Sequence, residues 1–252
     1  MLYRFKNLSQ FSAINHFVST RNGGVSTGEK ASLNLSFKVG DDEKCVLQNR
    51  QILANKIGIP ASHLIFPEQT HTAHVQIVKE VNLTSVFDNT DALITNVKGV
   101  CVSVMSADCV PILLFDKEKN VVAAIHAGWR GTVSGIVVNT ISLMKSEFNC
   151  DASKIMAAIG PSISADIYEV GAEVIAAVEA IVGTTDGIVT HKANGKGMLN
   201  LWEANARLLQ KSGVMAQHIE VSGICTYKHY DQFFSHRKSP ETGRFAAGIY
   251  LL

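Results

Sequence analysis

Apolar positions recur at helical spacing in four stretches of the chain, and each stretch carries its own stop signal. In "DEKCVLQNRQILANKIG", residues 42–58, the apolar set is Val46, Leu47, Ile52, Leu53 and Ile57. Asp41 or Asp42 caps this stretch, and Gly58 and Pro60 end it. "TVSGIVVNTISLMKSEF", 132–148, places Ile136, Val137, Ile141, Leu143 and Met144 mainly on one side, so one helix opening at Thr132 is expected. "GAEVIAAVEAIVG" and "LNLWEANARLLQKSG" close on Gly183 and Gly213. Between the helices lie apolar and β-branched runs: "AHVQIV", "DALIT", "VCVSVM", "CVPILLFD", "NVVAAIH", "KIMAAIG", "IEVSGIC" and "RFAAGIYL". Several are continuously apolar, the pattern of strands buried on both faces. Residues 73–126 supply several strands with no long helix between them, which argues against a simple doubly wound fold. The expected fold is an α/β sandwich around a mixed β-sheet. With no linker, charge block or internal repeat, residues 1–252 read as a single domain.

Composition narrows the function. Hydrophobic residues make up 46% and charged residues 18%, enough for a large core and wrong for disorder. The formal net charge is +1, and no basic run exceeds a dipeptide such as Arg237-Lys238. Neither nucleic acid nor an anionic membrane surface is expected as a partner; a small-molecule substrate is. No apolar window has the length of a spanning helix, and "MLYRFKNLSQFSAINHF" has no export-signal core. Five cysteines without close pairs fit a reduced, cytoplasmic setting. A monomer is compatible with all of this, though nothing in the sequence sets the oligomeric state.

The candidate chemistry lies where strands meet loops. Of nine histidines, His16, His63, His191 and His218 lack supporting neighbours and are expected at the surface. His71 lies in "FPEQTHTAHV" with His74 three residues on; in an extended chain the two face opposite sides, so only one is expected in a site. Cys109 begins one apolar strand, and His126 closes another just before "AGWRG", whose glycines permit a tight turn. Two imidazoles and a thiolate suit zinc, with a fourth position left for water or substrate. The same atoms equally suit a Cys109 thiolate nucleophile with His126 as base and Asp108 or another polar group as orienter. Spacing alone does not rank the two.

"STRNGGVSTG", "SLNL", "VGDD", "NR", "EQTHTAHV", "TDALIT", "SADCVPILLFD", "HAGWRGT", "IGPSI", "YEVG" and "FFSHR" with "TGR" follow one another across nearly the whole chain. In these the sequence resembles the bacterial branch of the laccase-domain family, formerly called multicopper polyphenol oxidoreductases. Its members are read as zinc-containing purine nucleoside phosphorylases with adenosine deaminase and methylthioadenosine phosphorylase activities. The resemblance implies zinc at His71, Cys109 and His126, a cationic group at Arg237, and a substrate-facing loop with Arg21 and Asn22. One departure is Ser162 in "GPSI", where relatives often carry cysteine. Copper remains compatible as an alternative or adventitious metal. A multicopper oxidase would need many more clustered imidazoles and thiolates.

On that reading the partners are purine nucleosides (adenosine, inosine, guanosine, methylthioadenosine) and phosphate. Deamination needs a carboxylate to shuttle protons. Asp91 leads over Asp108 and Glu68, because it precedes a buried strand where a lone carboxylate needs a reason. Phosphorolysis needs an anion clamp, for which Arg21, Arg130, Arg237 and Arg244 are candidates. Ser162 is grouped with Arg21, Asn22 and Arg130 on the substrate side, and Trp129, Phe234 and Tyr168 are candidates to stack on the base. The competing activities are a hydrolase or amidase acting on peptidoglycan precursors and, ranked below it, a copper-dependent polyphenol oxidase.

Overall fold

In the computed structural model, which describes residues 2–79 and 86–252, two mixed β-sheets lie face to face and helices cover the outer side of each. The six-stranded sheet runs, in order, β13 (Ile219–Val221), β9 (Ile155–Ile159), β7 (Val110–Asp116), β8 (Val121–Ala127), β5 (Ala92–Thr95) and β4 (Val75–Val78). Its two outer pairs are parallel and the pairs between them antiparallel. The five-stranded sheet runs β1 (Leu2–Tyr3), β2 (Ile14–Ser19), β14 (Phe245–Leu251), β6 (Cys101–Ser106) and β3 (Leu64–Ile65). A small antiparallel sheet joins β10 (Glu169–Val170), β12 (Gly197–Leu199) and β11 (Val189–His191).

Side-chain alternation explains the layering. Along β8, Val121, Ala123, Ile125 and Ala127 pack towards α4 (Ile136–Phe148), α5 (Ala172–Val182) and α6 (Leu201–Lys211). Val122 and Ala124 point the other way, into the core between the two sheets, where they meet Ala247 and Ile249 of β14. The outer face of β14, through Ala246 and Tyr250, packs on Leu53 and Ile57 of α2 (Glu43–Ile57). Burial on both faces is why these strands read as unbroken apolar runs. The α/β sandwich expected from the sequence is present, with two mixed sheets in contact instead of one.

The local differences have identifiable causes. The helix expected from Thr132 is two helices, α3 (Trp129–Val133) and α4, because Gly135 adopts φ +82° and interrupts the helical dihedrals. The short α1 (Lys6–Ser9) and strand β2 lie in the N-terminal stretch that shows no clear periodicity. His16, expected at the surface, is buried in β2, and its Nε2 accepts the Phe5 N–H at 2.9 Å. No helix among the described residues is long and apolar enough to cross a membrane.

Candidate active site

Strand register assembles the site at one end of the six-stranded sheet. Val110 pairs with Ala127, so the next residues outward, Cys109 and Gly128, face each other beyond the strand ends. Ala92 pairs with Ile125 and with Val75, which sets Asp91 beside both His126 and His74. The Asp91 carbonyl accepts the His126 N–H at 2.7 Å, and the Asp91 N–H donates to the His74 carbonyl at 3.0 Å. His126 shares the parity of Val122 and Ala124 on β8, so its ring points to the side of the second sheet.

The ligand atoms of His71, Cys109 and His126 all lie within 4.8 Å of one another. His126 is buried, Cys109 half-buried and His71 exposed, so the cluster opens to solvent on one side. The rings of His71 and His126 meet edge to face, with centroids 4.9 Å apart. His71 adopts φ +64°, a left-handed conformation that histidine tolerates better than most residues. His74 stays out of the cluster and is exposed, its Nδ1 lying 2.9 Å from the Asn89 carbonyl.

Asp91 stands behind this cluster. Its fully buried carboxylate accepts N–H groups from Thr70 (3.2 Å), His71 (3.1 Å) and Thr72 (2.7 Å), and the Thr72 hydroxyl at 2.9 Å. It also meets His126 Nδ1 at 2.8 Å. Three consecutive backbone amides turned towards one anion form a nest, made possible by the positive φ at His71. Burial raises the Asp91 pKa, but the His126 and Thr72 hydrogen bonds outweigh it and hold it near 2. The carboxylate therefore fixes the His71 loop and the His126 ring together. With a proton on Nδ1, His126 turns its Nε2 lone pair towards the cluster.

Burial raises the Cys109 thiol pKa, yet the charge of His126 and hydrogen bonds from His126 and His71 bring it below the ordinary value. Burial lowers the His126 pKa, and Cys109 and Asp91 together raise it. Donors and room both fit a metal. A tetrahedral zinc with bonds of about 2.0–2.3 Å spaces its ligand atoms roughly 3.3–3.8 Å apart, a small inward adjustment for this trio. Gly128 keeps the space open: a Cβ there would lie 2.9 Å from Cys109 Sγ and 3.2 Å from His71 Cδ2.

The remaining expected site residues divide by how their polar groups are used. Arg237 donates its backbone N–H to Asp108 at 2.7 Å, directly beside Cys109, and its guanidinium lies over the Tyr168 ring at 5.2 Å. Burial pushes the Tyr168 pKa up to about 12; the charge of Cys109 adds to this, and Arg237 and Arg130 oppose it. Arg130 is exposed and stacks on Trp129 at 4.4 Å. By contrast, the Arg21 guanidinium donates to the carbonyls of Ala31, Tyr230 and Glu29 and lies over the Tyr230 and Phe234 rings. Arg244 likewise donates to the carbonyls of Thr242 and Gly243. Asn22 is exposed and donates to the Asp231 carbonyl at 2.9 Å. Ser162 is fully buried and accepts the Trp202 indole N–H. Glu68 pairs with Lys38. Thr72 and the bond that Asp108 makes to the Arg237 N–H went unread in the sequence; the glycines of "AGWRG" were read as a turn, and the space that Gly128 leaves beside Cys109 and His71 shows in the structure.

The family described as "Multi-copper polyphenol oxidoreductase laccase" matches residues 15–252. The chain belongs to this family. It is 38% identical, over 256 aligned positions, to a purine nucleoside phosphorylase of Bacteroides thetaiotaomicron, covering 98% of this chain and 95% of that one. It is 36% identical to adenosine deaminase RL5 of an unknown prokaryotic organism, over 93% of this chain and 92% of that protein. The crystal structure of YlmD from Geobacillus stearothermophilus superposes with a TM-score of 0.91 at 33% identity, covering 96% of this chain and 93% of that one. The Bacillus licheniformis protein YfiH gives a TM-score of 0.94 at 29% identity, covering 100% and 96%. The family thus brings a copper name and relatives named for purine chemistry to the same fold.

Proposed function

We propose that this chain, as one catalytic domain, is a zinc-dependent purine nucleoside phosphorylase that also deaminates adenosine. Its substrates are adenosine, inosine, guanosine and methylthioadenosine, with phosphate as co-substrate. The observation that carries the reading is the His71–Cys109–His126 cluster, open on one side and braced from behind by Asp91. The names of the relatives supply the substrate class. Among the described residues this is the one group of three or more metal-ligating side chains, fewer than a multicopper centre requires.

Bound zinc would supply Lewis-acid chemistry and lower the pKa of water. Asp91 keeps the His126 Nε2 lone pair aimed at the cluster, and its saturated, buried carboxylate suits that orienting task better than proton shuttling to substrate. Arg237 uses one of its five guanidinium donors on the Ile167 carbonyl at 3.4 Å, leaving others for an anion. Arg237 and Arg130, whose charges reach Tyr168 as that of Cys109 does, are the phosphate clamp in this reading, while Arg21 and Ser162 hold the surrounding loops. Tyr168, with a cation over its ring, offers a face to a purine.

The test is zinc per chain measured alongside inosine and adenosine turnover, with and without phosphate, on protein purified without a chelating tag. About one zinc per chain is expected, lost together with turnover in Cys109→Ala and His126→Ala while the fold persists. Full turnover in either variant would overturn the proposal. Metal-free protein that is idle on nucleosides and alkylated selectively at Cys109 would point instead to a thiol hydrolase.

A further inference from the structure

We propose that Asp108 is a positioning residue whose carboxylate fastens Arg237 beside the His71–Cys109–His126 cluster. This rests on the reading of Arg237 as part of the phosphate clamp and goes beyond it by naming what sets the position of that arginine.

Asp108 occupies a conformation that few residues other than glycine take, with φ +94°. The turn sits immediately before Cys109, where the chain leaves β6 and enters β7. There the short carboxylate meets two donors from the far end of the sequence. One oxygen accepts the Thr226 hydroxyl at 2.6 Å, and the other accepts the Arg237 N–H at 2.7 Å. The Asp108 carbonyl also accepts the Ile163 N–H at 3.0 Å, which ties in the segment after Ser162. Three points on two loops, Ile163 on one and Thr226 and Arg237 on the other, are thereby held by the residue next to a cluster thiol.

The bond to Arg237 is made to its backbone and not to its guanidinium. A carboxylate paired with the guanidinium would neutralise the charge and occupy the fork that an anion needs. Here Asp108 takes the main-chain N–H, and the side chain runs on to lie over Tyr168. The same loop is fastened separately before and after Arg237, because Tyr230 donates to Glu29 at 3.3 Å and Ser239 donates to it at 2.7 Å. Losing the Asp108 bonds would therefore release the Arg237 backbone while Tyr230 and Ser239 on either side of it stay tied to Glu29.

Two substitutions separate the carboxylate from the backbone turn. Asp108→Gly keeps the positive φ and removes both side-chain bonds. Asp108→Asn tolerates the same φ and can still accept from Arg237 N–H while its amide donates to the Thr226 hydroxyl. Both would be measured as full-length, zinc-loaded protein for zinc content, phosphate and nucleoside KM, kcat, and amide exchange of residues 235–242. In Asp108→Gly we expect wild-type zinc content, faster exchange at Arg237, and a phosphate KM raised roughly tenfold or more, the scale on which misplaced binding groups act. The nucleoside KM should move far less, and Asp108→Asn should recover most of the loss. An unchanged phosphate KM with unchanged Arg237 exchange would overturn the proposal. Loss of zinc in Asp108→Gly would overturn it too, since the residue would then be shaping Cys109. Wild-type protein without phosphate-dependent turnover would sink the proposed function instead, and the exchange measurement would still decide whether Asp108 holds Arg237.

Discussion

Asp91 Oδ1 lies 2.8 Å from His126 Nδ1, and the same carboxylate collects the backbone amides of Thr70, His71 and Thr72. One buried anion thus fixes two members of the cluster through different groups: the ring of His126 and the main chain of His71. Asp91→Asn keeps the shape but offers one acceptor oxygen where two are used, and it turns an amide donor towards N–H groups. Metal affinity should fall about 10- to 100-fold, the usual effect of removing a hydrogen-bond partner behind a histidine ligand. Competition with a chromophoric chelator measures this, and an unchanged affinity would show that Asp91 does not orient His126.

Gly128 tests the shape of the cluster without touching a ligand. Its φ of −67° and ψ of 171° are open to alanine, so Gly128→Ala introduces no backbone strain. The new Cβ would sit 2.9 Å from Cys109 Sγ and 3.2 Å from His71 Cδ2. The expected result is a folded protein with little or no bound metal, seen as an unchanged far-ultraviolet circular dichroism spectrum beside a reduced metal-to-protein ratio. Full metal occupancy would mean that the ligands can move aside.

His16 makes stability depend on pH. Burial, reinforced by the charge of Arg4, lowers its pKa from 6.5 to about 4. Between those values the unfolded chain binds the proton and the folded one does not. The contribution to stability is therefore complete above pH 6.5 and lost as pH falls towards 4, by up to about 3 kcal/mol. His16→Gln keeps an acceptor for the Phe5 N–H and removes the titration. Urea unfolding across this range should give a shallower acid-side decline for the variant, whereas parallel profiles would exclude His16 as a source.

Arg21 is fastened to three carbonyls and two aromatic rings, so Arg21→Ala should act on stability first. A loss of about 1–3 kcal/mol is expected from the orphaned carbonyls and lost stacking. The check is denaturant unfolding beside the phosphate KM. A rise in that KM with no loss of stability would return Arg21 to the anion site.

The sequence determined the elements whose signals are local. Unbroken apolar runs such as "CVPILLFD" become strands buried on both faces, and "DEKCVLQNRQILANKIG" becomes a helix from Glu43 to Ile57 because its caps and stops lie within a few residues. His71, Cys109 and His126 came from the resemblance carried by "EQTHTAHV", "SADC" and "HAGWRG", with spacing alone leaving metal and nucleophile equal. Only the tertiary structure decided the rest. Asp91 meets a histidine 35 positions away, and Asp108 meets donors 118 and 129 positions away. Arg21 and Arg237 look alike as lone guanidinium groups, yet one is enclosed by carbonyls and the other leans over Tyr168. The physical reason is range. Periodicity and capping report a residue's neighbours along the chain, whereas a polar group's role is set by what strand register and sheet stacking bring within 3 Å of it.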